Sequence, residues 1–389
     1  MRTKEDWIKA GEVVFDAATD IGGLVLLMEE ARTPAWYEAT RMPLTPAGVM
    51  PFYRYVIRTK GKVEIGVNSC GTCHTRLMPD GSLLKGAQGN FPFDGTRSFR
   101  TRTRAGEDVA RRLEKADFGV PWLDFDRLDT LSREEIVGLH DAIPPGVVAR
   151  DRTSPRYPAV VGDLIGLADR KYLDRTGLVQ HRSPGDVMRY SASVLSVDRL
   201  ASFDGFIPVP RNPPENRERY SDEQLFALTL YLYSLRPPPN PNKFDTLAAR
   251  GQKIFGREGC SGCHTPPLYT NNKLTPVEGF TIPEDHKKKY DILPVSVGTD
   301  PGLAMKTRKG TGYYKVPSLK GVWYRGPFEH NGSVATLEDW FDPRRLRDDY
   351  VPTAFKGYRI QTRAVTGHEF GLKLSVDDKR ALIAFLKTL

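Results

Sequence analysis

Apolar residues recur at three- and four-residue spacing in a handful of stretches of this chain and almost nowhere alternate as a half-buried strand would. The stretches YSDEQLFALTLYLYSL, ending at Leu235, and LSVDDKRALIAFLKTL, ending at Leu389, each read as an amphipathic helix. Each is entered through a serine N-cap, Ser221 or Ser375, with acidic residues next in line where they suit the helix dipole. KAGEVVF, ending at Phe15, and ARGQKIF, ending at Phe255, read as a matching pair of opening helices. A further helix follows Ser132, whose Glu135 completes a capping box ahead of Ile136 and Leu139. Gly/Pro-rich loops such as Lys85 to Gly95 run between the helices, so the expected class is mainly α with long loops.

The paired helices belong to a longer repeat. VVGDLIGLADRKYLDRTG ends at Gly177 and KVPSLKGVWYRGPFEHNG at Gly332, an offset of 332 − 177 = 155. Leu164, Gly166, Arg170, Asp174 and Gly177 then fall without a gap on Leu319, Gly321, Arg325, Glu329 and Gly332. The stretch from Arg236 through Pro237, Pro238, Pro239 and Pro241 to Asn242 is stiff and cannot continue a helix, which predicts domains at 1–236 and 243–389 with a Pro-rich linker at 237–242. The first copy carries an insert, Asp16 to Ser69 (16–69), with its own helical apolar pattern through Leu24, Leu27 and Met28.

The chemistry lies in the cysteines. Cys70-Gly71-Thr72-Cys73-His74 and Cys260-Ser261-Gly262-Cys263-His264 are both the C-x-x-C-H pentad of c-type haem attachment, and together they use every cysteine in the chain. Two cysteines three apart fall on nearly one side of a helical turn, where both thiols reach one edge of a porphyrin and the next histidine points at the iron. The rival reading, zinc, needs a fourth ligand that neither pentad has nearby. Two covalently attached haem c groups are therefore expected, in two tandem cytochrome c-like haem domains.

The 27% charged content and mean hydropathy of −0.44 describe a soluble protein, and the longest apolar run, near Ile21 to Met28, is too short to span a bilayer. The net charge of +9 suits an acidic redox partner or an anionic surface, but the arginines are spread along the chain and no nucleic-acid module is present. Met1 to Trp7 lacks the apolar core of a secretory signal, so the sequence reads as a mature form. The expected location, periplasmic or secreted, is argued from the cofactor.

An iron with two strong protein ligands passes electrons, whereas one with an open axial position binds oxygen or peroxide. Five histidines remain beyond the pentads. His368 lies in the loop before the last helix, which in a cytochrome c-like unit covers the face opposite the proximal histidine, and is the expected distal ligand of the second haem. The equivalent loop of the first copy, FIPVPRNPPENRERYSDE, holds neither His nor Met, which suggests an open first haem. His181 is the runner-up distal ligand, His140 a packed or surface residue, His286 solvated, and His330 a hydrogen-bonding member of its turn. Met188 and Met305 are read as packing. Phe203 and Phe206, with Phe91 and Phe93, are candidates for lining a dry distal pocket, core packing being the plainer role. Trp323 and Tyr324 are candidates for packing between the haems.

The run from ARGQKIFGREGCSGCH through VPSLKGVWYRGPFEHNGSVATLEDWF to the last helix resembles the bacterial di-haem cytochrome c peroxidase superfamily, and SCGTCHTRLMPDGSLLKGAQGNFPFD with YLDRTGLVQHRSPGDVMRY looks closest to its rubber oxygenases, di-haem dioxygenases that cleave polyisoprene. The resemblance implies His74 and His264 as proximal ligands, His368 as distal ligand of the second haem, and oxygen binding at the first. The chain departs from the peroxidases in having Leu173 before Asp174, where they place a tryptophan. It also has no histidine between His74 and His140, and it lacks their glutamate-methionine motif. It is shorter than the rubber oxygenases. The expected function is a haem oxidoreductase: oxygen or peroxide is activated at haem 1 on His74, and electrons are relayed at haem 2 on His264 and His368. Its partners would be a redox protein, or a small-molecule or polymeric substrate. The alternatives are a peroxidase fed through haem 2 and an electron-transfer cytochrome in which His140 or His181 ligates haem 1.

Overall fold

The computed structural model describes residues 1–21, 25–119, 128, 130–150, 153–195, 220–307 and 310–389. Leu24, Phe203 and Phe206 lie outside the described residues. The chain is mainly helical and divides into two compact units, Met1–Ala168 with Val179–Arg236, and Asp169–Leu178 with Pro237–Leu389.

In the first unit the opening helix, Lys4–Asp16, packs on the closing helix, Asp222–Ser234. Ser221 caps the latter, its hydroxyl accepting the Gln224 amide at 3.2 Å. Gly11 permits the crossing, because a Cβ there would lie 2.0 Å from the Ala227 carbonyl oxygen. Phe15 and Tyr231 fill the apolar side with ring centroids 5.2 Å apart. The second unit repeats this construction with Thr246–Arg257 and Val376–Lys387. There a Cβ on Gly251 would lie 2.0 Å from the Ala381 oxygen, and Phe255 packs on Phe385 at 5.4 Å. Ser375 caps the last helix as the sequence predicts.

The insert corrects the expectation of weak strands. Asp20–Ile21, Arg54–Thr59 and Lys62–Val67 form an antiparallel sheet with the last of these in the centre. Of the helix expected through Leu24, Leu27 and Met28, the described residues form Met28–Ala31, with Leu27 as its N-cap. A second helix, Pro34–Thr40, starts straight after it, and the residue before a proline disfavours helix. Leu26, Trp36, Phe52, Tyr53 and Ile65 bury a core of their own against Phe91. Phe91 is thus a packing residue, its ring 5.3 Å from those of both Phe52 and Tyr53.

Asp169–Leu178 belongs to the second unit for local reasons. Lys171 pairs with Asp291 at 3.1 Å, and the Asn272 side chain donates to the Asp169 carbonyl at 2.9 Å. Tyr172 shares a small core with Leu274 and Tyr313.

Candidate functional site

Both pentads close one helical turn, with the histidine amide donating to the first cysteine's carbonyl at 2.9 Å: His74 to Cys70 and His264 to Cys260. Ser69 caps the first turn by accepting the Thr72 amide at 3.0 Å. A Cβ on Gly89 would fall 2.0 Å from the Cys73 oxygen, so glycine lets the loop after the pentad cross its backbone. Burial pushes the thiols of Cys70 and Cys73 up to about 12 and that of Cys260 up to about 11. Partly buried thiols held neutral in this way are poor thiolate nucleophiles. Among the described residues no group of three or more His, Cys, Asp or Glu side chains converges as a metal site.

The two pentad imidazoles are held alike. His74 Nδ1 donates to the Gly162 carbonyl at 2.8 Å, and His264 Nδ1 to the Pro317 and Tyr269 carbonyls at 3.1 Å each. Gly162 and Pro317 are separated by the repeat offset of 155. A carbonyl only accepts, so Nδ1 carries the hydrogen in both rings and Nε2 keeps its lone pair for a metal.

His368 stands opposite His264, the ring centroids 6.2 Å apart. A metal–imidazole bond is about 2 Å and a ring centre lies about 1.1 Å beyond its nitrogen, so two imidazoles sharing one iron have centroids about 6 Å apart. The residues present fit a haem iron between them. Burial, then the neighbouring His368, pushes His264 down to about 4, and burial also pushes His368 down, so both rings are neutral, the form that ligates metals. The His368 backbone is fixed by buried Arg345, whose guanidinium donates to the Gly367 carbonyl at 2.8 Å and the His368 carbonyl at 2.9 Å. The His368 amide donates to the Val297 carbonyl at 2.7 Å. Trp340 sets its edge against the imidazole at 5.1 Å.

In the first unit, His140 is fully buried between two carboxylates. Its Nδ1 is 2.7 Å from Asp94 and its Nε2 3.1 Å from Glu114. Burial pulls this imidazole down, but the Glu114 charge and the Asp94 hydrogen bond outweigh it and push it up to about 9. The Asp94 charge also acts on Cys73, which sets the cluster beside the first pentad. His181 Nε2 bonds the Tyr233 hydroxyl at 2.5 Å. The insert reaches the same pentad, the Thr72 hydroxyl donating to the Phe52 carbonyl at 3.4 Å. His330 stacks on Tyr314 at 4.6 Å and lies 3.4 Å from Glu329. His286, expected in solvent, is partly buried with Nδ1 3.0 Å from the Tyr313 hydroxyl. Trp323 meets Tyr324 edge-on at 5.1 Å within the second unit.

Sequence reasoning did not find Asp94, Glu114, Glu329 or Arg345. Asp94 and Glu114 lie 46 and 26 residues from His140, beyond any local pattern.

A family profile described as RoxA-like, cytochrome c-like matches residues 312–351, a stretch that includes Pro317 and Arg345. Hydrazine synthase of Kuenenia stuttgartiensis superposes with a TM-score of 0.37 at 14% identity, over 75% of this chain and 91% of that one. The methylamine utilization protein MauG of Methylorubrum extorquens is 25% identical over 206 residues, 50% of this chain and 52% of that protein. A cytochrome-c peroxidase of Denitromonas iodatirespirans is 31% identical over 113 residues, 24% of this chain and 29% of that protein. The chain is similar to members of the di-haem cytochrome c peroxidase superfamily. That likeness supports covalently bound haem c. The matched stretches span about half of those curated relatives or less. No helix among the described residues is long and apolar enough to cross a membrane.

Proposed function

We propose that the chain carries two haem c groups in tandem cytochrome c-like domains, 1–236 and 243–389, joined by the linker 237–242, with the excursion Asp169–Leu178 packed into the second unit. Cys70, Cys73 and His74 hold the first; Cys260, Cys263, His264 and His368 hold the second. The chemistry supplied by the bound groups is oxygen or peroxide activation at the first and electron relay at the second. One asymmetry carries the reading. His264 has an opposing imidazole at 6.2 Å, whereas His140, one of the two histidines that a carrier would need at the first iron, has both ring nitrogens engaged by Asp94 and Glu114. The other, His181, bonds Tyr233 through Nε2. The first site then keeps one axial face for a small ligand, and the insert core around Trp36 and Phe52 helps to keep water from its pentad.

The finer reading is a dioxygenase of the rubber oxygenase kind acting on an alkene or isoprenoid. It is supported by the RoxA-like match and by Leu173 standing where the peroxidases place tryptophan. The second reading, a peroxidase fed through the second haem, is favoured by the name of the Denitromonas relative. Either belongs in the periplasm or outside the cell, with a soluble redox partner.

Titration of the holoprotein with carbon monoxide when reduced and cyanide when oxidised tests the asymmetry. One haem should respond, and His368→Ala should add a second responsive, high-spin haem. Response of neither haem in the unaltered protein, or of the one on His264 alone, overturns the assignment.

A further inference from the structure

Glu329 Oε1 and His368 Nδ1 are both buried without a hydrogen-bond partner. A carboxylate oxygen accepts, and an imidazole whose Nε2 is committed to a metal donates through Nδ1, so the two atoms are complementary. The charge on either group acts on the other. The Glu329 side chain is 7% exposed, and its other oxygen is already used: Oε2 accepts the Thr299 hydroxyl at 3.2 Å and the His330 amide at 3.3 Å. The loop bearing Thr299 also holds the histidine. Val297 accepts the His368 amide, and the backbone at Gly367 passes so close that a Cβ there would lie 2.3 Å from the Thr299 nitrogen. A cavity of about 310 Å³ adjoins, lined in part by Thr299, Glu329, His330 and Thr366. Glu329 also sits at φ 68°, a left-handed conformation that a glutamate seldom occupies and that only surrounding constraints sustain. Its repeat counterpart Asp174 has the same φ of 68° but uses Oδ1 on the amide and hydroxyl of Thr176.

We propose that Glu329 is the positioning residue of the second distal ligand, its Oε1 accepting the Nδ1 hydrogen of His368 directly or through one water in the cavity. The inference rests on His368 being that ligand. A carboxylate behind an iron-bound imidazole fixes the ring's orientation and strengthens it as a donor, which favours the oxidised iron. The second site would then be tuned to give up electrons readily, as a relay feeding the first requires.

Potentiometric titration of the holoprotein, followed optically and by electron paramagnetic resonance, tests this with Glu329→Gln, which keeps the shape and removes the charge. The midpoint of the second haem should rise by a tenfold change in its reduction equilibrium, about 59 mV for one electron. Its low-spin spectrum should persist with altered g-values, and the first haem should be unmoved. Glu329→Asp, which keeps the charge on a shorter arm, should give a smaller rise. His368→Ala separates the two levels: if it leaves both haems' spin states unchanged, the ligand assignment itself fails. If it does convert the second haem while both Glu329 variants, loaded with haem, keep the original midpoint and g-values, the ligand stands and the role of Glu329 is refuted.

Discussion

Replacing His140 by leucine leaves Asp94 and Glu114 facing each other in the interior with no cation between them. Removing one partner from a buried ion group costs about 3–5 kcal/mol. The pH dependence gives a second and sharper number. An imidazole of ordinary pKa 6.5 in the unfolded chain is held at about 9 in the fold. The stability this confers is complete below pH 6.5, declines as pH rises toward 9 and is lost above it. A gap of about 2.5 pH units at about 1.36 kcal/mol each is about 3 kcal/mol. Thermal melts of the holoprotein and of His140→Leu at pH 6, 8 and 10, read on the transition of the first unit, supply the assay. The variant should melt about 10 °C lower at pH 6, taking about 2–4 °C per kcal/mol for a unit of this size. The difference between the two proteins should shrink by about 3 kcal/mol between pH 6 and pH 10. A difference that stays constant across that range, or a variant within about 0.5 kcal/mol of the parent at pH 6, refutes the account of His140 as a caged imidazolium.

Cys70→Ser with Cys73→Ser should reduce the haem that survives acid–acetone extraction from two groups per chain to one, as should the Cys260 and Cys263 pair; a pyridine haemochrome assay counts them. Gly251→Ala forces a methyl group to 2.0 Å from the Ala381 carbonyl and should cost about 3 kcal/mol, seen as a lower melting point of the second unit, while Gly256→Ala, at a position where nothing lies within 4 Å, should cost far less. Arg345→Lys should loosen the His368 loop, because a single ammonium cannot reproduce bonds to the Trp340, Gly367 and His368 carbonyls, and the low-spin signal of the second haem should weaken on warming.

Local signals were legible and distant ones were not. The pentads, the opening and closing helices and the caps at Ser132, Ser221 and Ser375 are all written within a few residues of where they act, and the structure forms each of the helices and caps. The insert's sheet was hidden because its strands do not alternate cleanly in polarity: Tyr55, Ile57 and Val63 are apolar yet lie on the outside, 74%, 68% and 46% exposed. A hairpin cue was nevertheless there, Thr59-Lys60-Gly61-Lys62 with Gly61 at φ 81°. The excursion Asp169–Leu178 depends on Asn272, Asp291 and Tyr313, far away in the chain. His140 read as a packed helix residue because its neighbours Ile136 and Leu139 are apolar; its carboxylate partners come from other helices.

The glycine crossings have a consequence for how the molecule is made. Each joins the two ends of its unit, Gly11 to Ala227 and Gly251 to Ala381, with the C-x-x-C-H pentad on the stretch between. A chain delivered amino terminus first therefore presents Cys70 and Cys73 long before Asp222–Ser234 exists to seal the first unit, and Cys260 and Cys263 long before Val376–Lys387 exists to seal the second. During that interval the thiols are on an open strand, accessible to whatever machinery joins them to a porphyrin. Once the last helix docks against its glycine the unit is closed, and the four cysteines are left only partly exposed. The closing helix acts as a latch on the fold, and if the pentads take haem as proposed, a porphyrin joined before its arrival meets a more open chain.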